Sequence, residues 1–203
     1  IVKAQNPTSV QNFVDEVKGT ITQTAAICLI REKIAPDAII VGASGSLPGD
    51  LQRMWTTDEK DAYHMEYGYS CMGYEIAGAL GAKLACPQQE VYAMAGDGSF
   101  YMLHSEWLTA LQEGKKINIW LFDNASFGCI NNLEMGNGVG NLGTEFRRRG
   151  ADGEHSGTFL NTDFAAIATA YGAAGYTART MEELAAALDA SKQETRSTLI
   201  DIK

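Results

Sequence analysis

The sequence predicts a three-layer α/β/α sandwich in which helices cover both faces of a mainly parallel central sheet. Five short apolar segments have the composition of buried strands, and segments with helical spacing of apolar residues lie between them. Strands that alternate with helices favour parallel pairing, because each crossover returns the chain to the same edge of the sheet. The 203 residues fit one domain of this class.

The predicted elements alternate along most of the chain. Strands are predicted at residues 38–41, 90–95, 117–122, 173–177 and 198–202. Helices are predicted at residues 20–34, 72–85, 105–113, 128–134, 164–171 and 181–191. The first helix ends before Pro36, a residue that cannot continue a helix.

The start of the chain differs from the rest. Residues 1–19 show no strong period, and we interpret them as a linker or arm that leads into a domain spanning residues 20–203. The first residue is Ile1 rather than a methionine. We therefore expect the chain to be a fragment of a longer multidomain protein.

Composition and charge exclude several classes of partner. The formal net charge is −9, whereas a nucleic-acid-binding face is normally basic, so we expect no nucleic-acid partner. No segment approaches the roughly 20 apolar residues of a membrane span, and no secretory leader opens the sequence. The four cysteines show no CxxC pair, which argues against a zinc site. We expect a cytoplasmic protein that does not bind membranes.

The most informative segment is a predicted strand that runs directly into a Gly-Asp-Gly-Ser turn. Ligands of parallel α/β sheets bind beyond the carboxyl ends of the strands, where this turn lies. Gly96 and Gly98 permit close approach of the backbone, and the amides of Gly98 and Ser99 can donate to phosphate oxygens. Asp97 would repel a phosphate unless a cation bridged the two, so the turn predicts a hard metal ion beside a diphosphate.

A second polar corner follows the next predicted strand. Asn124 lies 27 positions after Asp97, an interval that one helix and one strand fill, so the two strand ends are expected side by side. Asn124 can then give its amide oxygen to the same ion, with the backbone carbonyl of Ser126 as a third ligand. Two diphosphate oxygens and a water complete the octahedron that Mg²⁺ prefers at about 2.1 Å.

These two corners together resemble the signature of thiamine-diphosphate enzymes, GDG followed by NN. The resemblance implies the thiamine-diphosphate-binding fold, with thiamine diphosphate and Mg²⁺ as cofactors. The first asparagine of that signature is Asp123 here, whereas the second, which meets the metal in the family, is retained as Asn124. The pair Asn131 and Asn132 lies farther from Asp97, inside a predicted helix, and is rejected as the ligand.

The resemblance extends upstream to YSCMGYEIAGALGAKLA at residues 69–85, similar to the family's helix whose leading loop holds the aminopyrimidine ring. It implies that Met72 forces the cofactor into a bent shape and that backbone groups of Ser70 and Met72 contact the pyrimidine. The alternative is that Met72 only fills the core, a common role of methionine. Glu75 stands where relatives often have a small residue, and the sequence assigns it no role.

Two further loops are candidates for ligand contact. Ser44 and Ser46 follow the first predicted strand, in the place of the family's other diphosphate-side loop, although the same residues fit a helix cap formed by Gly49 or Asp50. Residues 136–157 form a long, glycine-rich, charged loop. It is either a mobile surface excursion or an active-site lid whose three arginines, at 147–149, meet an anionic or polyhydroxy substrate.

Strings over about residues 45–148 resemble a branch of the family that opens a cyclic 1,2-dione by hydrolysis in myo-inositol breakdown. The resemblance implies a polyhydroxy cyclic diketone as the small-molecule substrate. The family also needs a glutamate on the pyrimidine-binding domain of a neighbouring subunit, which implies a homodimer or homotetramer. No residue of this chain matches that motif, so we expect the fragment alone to be inactive.

Other functions stay open. A carboligase of the acetolactate-synthase type or a 2-oxo-acid decarboxylase would use the same cofactor. A nicotinamide-dependent oxidoreductase would need GxGxxG after the first strand, and the sequence GASGSLPGD at residues 42–50 lacks that order. A non-catalytic module that binds metal and nucleotide is the remaining alternative.

Overall fold

The computed structural model describes residues 21–57 and 59–203, and its centre is a six-stranded sheet with every neighbouring pair parallel. The strands are β1 (Ile39–Gly42), β2 (Tyr63–Met65), β3 (Val91–Gly96), β4 (Asn118–Phe122), β5 (Ala174–Ala178) and β6 (Thr198–Ile202), in the spatial order β2-β1-β3-β4-β6-β5. The arm predicted at residues 1–19 lies outside the described residues.

Eight helices connect the strands within the described ranges. They are α1 (Gln23–Lys33), α2 (Leu47–Met54), α3 (Tyr74–Ala85), α4 (Asp97–Leu103), α5 (Glu106–Gln112), α6 (Gly128–Gly136), α7 (Phe164–Ala170) and α8 (Met181–Gln193). None of these helices is both long and apolar enough to cross a lipid bilayer.

The predicted fold class is confirmed, and all five predicted strands are present within one residue at each end. The six predicted helices are also present, the first of them beginning at Gln23 after an N-cap whose Thr22 hydroxyl accepts from the amide of Ala25 at 3.2 Å. Three elements were not predicted: α2, α4 and the edge strand β2. The sheet is parallel at every pair, which is more regular than the expected mainly parallel arrangement.

The helix α2, which was not predicted, shows that the alternative of a helix cap at Gly49 or Asp50 is wrong. It begins at Leu47, with Pro48 in its first turn, where a proline is tolerated because the amide has no intrahelical partner. Gly49 and Asp50 therefore lie inside the helix, and neither caps it. Leu51 is fully buried and holds α2 on the sheet.

Two apolar layers hold the sheet between its helices. On one face, residues of α1, α2 and α8 pack with Met94 and Trp120. On the other face, residues of α3, α5 and α7 pack with Ala93 and Ile119. Neighbouring strand positions thus point to opposite layers, and burying each large apolar side chain contributes roughly 1.5–3 kcal/mol.

The topology creates a crevice at the carboxyl edge of the sheet. From β1 the chain goes to β2 on one side, whereas β3 pairs with the other side of β1. Leu47 of α2 lies in one apolar layer and Phe100 of α4 in the other, so the segments that follow β1 and β3 leave toward opposite faces of the sheet. Such a divergence is where ligands of open α/β sheets bind.

The contact between α7 and β5 depends on a glycine, and replacing it tests the packing of this layer. A Cβ added to Gly175 would lie 2.1 Å from the carbonyl oxygen of Ala165. We expect Gly175→Ala to lower the free energy of unfolding by about 1–3 kcal/mol, because the backbone of α7 has to shift. Urea unfolding of the protein measures this loss.

Gly81→Ala in α3 is the matched control, since nothing lies within 4 Å of its added Cβ. It should leave stability unchanged or raise it by up to about 1 kcal/mol, because alanine favours helix. Equal unfolding midpoints for Gly175→Ala and the parent protein would contradict the described packing of α7 on β5.

Candidate functional site

A cavity of about 430 Å³ occupies the crevice at the carboxyl edge of the sheet. Its walls come from the segments after β1, β3 and β4 and from the loop that precedes α3. Ten residues were predicted to bind cofactor or metal, and all ten line this one cavity: Ser44, Ser46, Ser70, Met72, Gly96, Asp97, Gly98, Ser99, Asn124 and Ser126. The structure therefore brings together four segments that are distant in sequence.

Asp97 is the most strongly perturbed residue of the cavity. It is the first residue of α4 and is 2% exposed. Its Oδ1 accepts a hydrogen bond from the amide of Gly98 at 2.9 Å, whereas Oδ2 is buried and has no hydrogen-bond donor among the described residues. A buried carboxylate oxygen without a donor is costly, and a bound cation would remove that cost.

The surroundings of Asp97 raise its pKa to about 7. Burial is the largest cause, and the neighbouring carboxyl group of Asp123 adds to it, while the backbone amides of Gly98 and Ala125 oppose the shift. The carboxyl group of Asp97 thus faces the corner after β4, as the spacing of the two motifs predicted. Without a cation, the cavity favours the protonated form of Asp97.

The corner after β4 is held by its own hydrogen bonds. Asn124 Oδ1 accepts from the amide of Ser126 at 3.1 Å and from the Ser126 hydroxyl at 2.9 Å. Ala125, between them, has a left-handed φ of 52°, which is a strained conformation for a residue with a Cβ. Both acceptor positions of Asn124 Oδ1 are occupied, so the Ser126 hydroxyl has to turn away if this oxygen binds a cation.

Two glycines leave room for the side chains of this corner. A Cβ added to Gly98 would lie 2.6 Å from Cδ1 of Phe127, so the absence of a side chain at Gly98 makes room for that ring. A Cβ added to Gly128 would lie 2.5 Å from Nδ2 of Asn124. Gly128 was not predicted as a site residue, because its role is visible only as a close contact in space.

Part of the long loop supports the same corner. Residues 144–146 pair with 125–127: the amide of Phe127 donates to the Thr144 carbonyl and the amide of Phe146 to the Ala125 carbonyl, each at 2.8 Å. The Phe146 ring also packs edge-on against Phe127, with 5.0 Å between the ring centroids. This end of the loop is anchored to the cavity wall rather than being a free surface excursion.

The side chains of two of the three arginines predicted to meet a substrate, Arg147 and Arg149, make contacts within the loop or next to it. Arg147 donates to the Gly157 carbonyl at 3.0 Å, and its guanidinium carbon lies 3.6 Å from the centroid of the Phe159 ring. Arg149 donates to the Gly153 carbonyl. None of the three arginines, including Arg148, is among the described residues that line the cavity. The role of this loop as a lid stays a prediction.

The loop before α3 is shaped by a glutamate that the sequence did not reveal. Glu66 accepts hydrogen bonds from the amides of Tyr69 at 2.9 Å and Cys71 at 2.8 Å, and these amides hold its pKa below the ordinary value. Between them, Ser70 has a left-handed φ of 52°. Met72 is half-buried in the cavity wall, so the alternative that it only fills the core is wrong.

The serines on the opposite wall form two hydrogen-bonded pairs. The hydroxyl groups of Ser44 and Ser99 lie 3.3 Å apart. Ser46 donates to Oε1 of Gln23 at 3.2 Å, and Nε2 of Gln23 donates to Asp50 at 2.6 Å. Gln23, the first residue of α1, is a further lining residue that the sequence analysis missed.

Comparison with known protein families agrees with this geometry. Residues 43–202 match the C-terminal TPP-binding domain of thiamine pyrophosphate enzymes. The chain belongs to this family. The matched range includes all ten predicted site residues, from Ser44 to Ser126.

Individual relatives are longer proteins. A protein of Clostridium perfringens strain 13 named 3D-(3,5/4)-trihydroxycyclohexane-1,2-dione hydrolase is 59% identical over 203 residues, which are all of this chain and 32% of that protein. A protein of the same name from Geobacillus thermodenitrificans NG80-2 is 62% identical over 95% of this chain and 33% of its own length. The chain thus spans about a third of these relatives.

Solved structures with the same fold are more distant in sequence. The thiamine diphosphate-dependent 4-hydroxybenzoylformate decarboxylase of Rhodococcus jostii RHA1 has a TM-score of 0.77 at 22% identity, over 91% of this chain and 32% of that one. Benzoylformate decarboxylase from Polynucleobacter necessarius has a TM-score of 0.71 at 19% identity, over 90% and 32%. These similarities confirm the thiamine-diphosphate-binding fold.

The raised pKa of Asp97 predicts how stability depends on pH when no divalent cation is present. The ordinary pKa of an aspartate is about 3.9, so the folded state binds this proton more tightly than the unfolded state. Stability is therefore lost as the pH rises from about 4 through about 7. We expect Asp97→Asn to be more stable than the parent protein, by a margin that grows between about pH 5 and pH 8.

Urea unfolding of the parent protein and of Asp97→Asn, at about pH 5 and at about pH 8 with a chelator present, measures this margin. Asp189→Asn is the control, because Asp189 is exposed on α8 and its pKa is lowered by Lys33. Its effect should not become more stabilising at the higher pH. A margin for Asp97→Asn that stays constant with pH would show that the folded protein does not hold the Asp97 proton.

Proposed function

We propose that this chain is the diphosphate-binding domain of a thiamine-diphosphate enzyme that hydrolyses a C–C bond of a cyclic 1,2-diketone, opening a trihydroxycyclohexane-dione ring in inositol breakdown. The relatives with that name, 59% and 62% identical, support the substrate class. The observation that carries the cofactor assignment is the Oδ2 atom of Asp97, which is buried without a hydrogen-bond donor among the described residues, on a residue that lines the cavity.

The residues present fit a bound Mg²⁺. Asp97 Oδ2 supplies the charged ligand, and Asn124 Oδ1 and the Ser126 carbonyl supply neutral oxygens from the corner that Asp97 faces. No described backbone amide donates to the Ser126 carbonyl, so its lone pairs are available. Carboxylate and amide oxygens with waters and phosphate oxygens are the usual ligands of this ion.

The wall beside these ligands fits a diphosphate. The amide of Ser99 at the start of α4 is a donor, the amide of Gly98 becomes one if it leaves Asp97 Oδ1, and the hydroxyl groups of Ser44 and Ser46 lie on the facing segment. The positive end of a helix and hydroxyl donors favour phosphate oxygens. We propose that these residues hold the diphosphate, while Ser70 and Met72 contact the aminopyrimidine ring.

Thiamine diphosphate, when bound, supplies the carbanion chemistry that breaks a C–C bond beside a carbonyl. The residues of this chain bind and orient it: Asp97 and Asn124 hold its cation, and Met72 sets its bend. Activity further requires a glutamate from the pyrimidine-binding domain of a neighbouring subunit. The 203-residue piece alone is therefore inactive in this proposal, and the complete protein is a cytoplasmic homodimer or homotetramer.

A 2-oxo-acid decarboxylase or carboligase is the second candidate, since two decarboxylases share the fold. Product analysis with the complete protein separates the candidates. An open-chain acid formed from the cyclic diketone supports the hydrolase, whereas carbon dioxide released from a 2-oxo acid contradicts it. Calorimetry with ATP in place of thiamine diphosphate, with and without Mg²⁺, tests the non-catalytic nucleotide module.

Removing the charged ligand tests the metal site directly. We expect Asp97→Ala to abolish Mg²⁺-dependent binding of thiamine diphosphate while the protein stays folded, because the substitution removes a buried charge that lacks a donor. Asn124→Ala removes a neutral ligand and should weaken binding less, by about tenfold. Isothermal titration calorimetry with Mg²⁺ and with chelator measures both. Affinity retained by Asp97→Ala would contradict the assignment.

Displacing a ligand without removing it is a more selective test. Gly128→Ala places a Cβ 2.5 Å from Nδ2 of Asn124, so the amide group has to move. We expect about a tenfold loss of Mg²⁺-dependent cofactor affinity. Gly136→Ala in the same helix is the control, because nothing lies within 4 Å of its added Cβ. Equal affinities for the two variants would show that Asn124 does not need its described position.

A further inference from the structure

A buried glutamate lies behind the wall of the cavity and takes no part in the metal site. Glu75 belongs to the first turn of α3 and is 1% exposed. Its Oε2 accepts a hydrogen bond from the amide of Gly73 at 2.9 Å, whereas Oε1 is buried and makes no hydrogen bond within the described residues. One half of this carboxyl group thus supports the helix start, and the other half is unexplained.

The carboxyl group of Glu75 lies beside two serines of the cavity wall. Burial, the largest cause, raises the pKa of Glu75, and the groups that oppose the shift include the hydroxyl of Ser99 and the amide of Ser44. Those two serines line the cavity, with their hydroxyl oxygens 3.3 Å apart. No cation is among the groups that shift the pKa of Glu75, so burial favours its neutral acid.

The protonation state of a carboxyl group decides how neighbouring hydroxyls point. A neutral acid has one O–H donor, whereas a carboxylate only accepts. If the acid donates to Ser99, the Ser99 hydroxyl is left to donate onward to Ser44, and the Ser44 hydroxyl is left to donate into the cavity. A carboxylate would reverse this order and turn lone pairs toward the cavity, where they would repel an anion.

We propose that Glu75 is a positioning residue for the diphosphate: as a buried neutral acid it donates through Oε1 to the Ser99 hydroxyl, the Ser99 hydroxyl donates to the Ser44 hydroxyl, and the Ser44 hydroxyl then points as a donor toward a phosphate oxygen. This inference rests on the proposed function. It assigns the cavity wall a fixed direction of hydrogen-bond donation, set by a residue that does not touch the ligand.

Two side chains of equal length separate this role from simple support of α3. In the complete protein, Glu75→Gln keeps a neutral donor and the acceptor for Gly73, whereas Glu75→Met keeps the length and removes both. We expect the Gln variant to bind thiamine diphosphate at saturating Mg²⁺ within about threefold of the parent, and the Met variant to bind about tenfold or more weakly. Calorimetry measures the affinities and thermal unfolding the stability.

Thr198→Val is the control for loss of a buried polar group, because Thr198 lies at the opposite, amino-terminal edge of the sheet and donates to Asn118 at 2.8 Å. It should lower stability without changing affinity. Equal affinities for the Gln and Met variants, or equal losses in both, would overturn the inference. If the parent protein itself does not bind thiamine diphosphate with Mg²⁺, the proposed function fails. If the parent protein binds it and the two Glu75 variants do not differ, only the inference about Glu75 fails.

If Glu75→Met does not fold, Ser99→Ala provides a second test of the role of Glu75. Removing the Ser99 hydroxyl interrupts the relay, so the Ser44 hydroxyl is no longer directed and its further removal should cost little. We expect Ser99→Ala and the double variant Ser44→Ala/Ser99→Ala to bind thiamine diphosphate with affinities within about threefold of each other. Losses that multiply, as for two independent donors, would overturn the relay.

Discussion

The carboxyl edge of the sheet concentrates buried negative charge, and the architecture of the site follows from how that charge is balanced. Asp97, Asp123 and Asp201 lie at the ends of three adjacent strands. Lys203 pairs with Asp123 and with Asp201, the latter at 3.3 Å, and no described cation pairs with Asp97. Burial raises the pKa of Asp201 to about 6 even beside Lys203. Lys203 balances part of the negative charge at this edge of the sheet, and a divalent cation beside Asp97 would balance the rest.

Asp123 stands where the family's signature has its first asparagine, and this aspartate affects both Asp97 and the corner after β4. Its carboxyl group adds a charge next to Asp97 and raises the pKa of that residue. The ion pair with Lys203 keeps Asp123 turned toward β6, and its Oδ1 accepts from the amide of Ala125 at 3.1 Å. Asp123 therefore helps to shape the strained corner on which Asn124 lies. The uncompensated carboxyl group of Asp97 costs stability, and in the proposed function a bound cation would recover that cost.

Elements and cavity-lining residues that follow from periodicity and spacing could be predicted from the sequence, whereas those that depend on contacts in space could not. The strands were visible because each is an apolar run, and Asp97 and Asn124 were visible because each follows such a run. The helix α2 was hidden by Pro48 and Gly49, which are typical of loops, and β2 by its length of three residues. Gly128 matters through a close contact in space with the Asn124 side chain, and Glu75 lies near serines distant in sequence, so no sequence pattern marks either residue.

The strained corner at Ala125 shows why the long loop belongs to the site. A left-handed alanine persists only where neighbouring structure holds it. The pairing of 125–127 with 144–146 and the packing of Phe146 on Phe127 hold Ala125 in this conformation. Any movement of the loop that broke this pairing would release the corner and shift Asn124. The loop can therefore influence the position of Asn124 through the backbone of 125–127, without any of its arginines reaching the cavity.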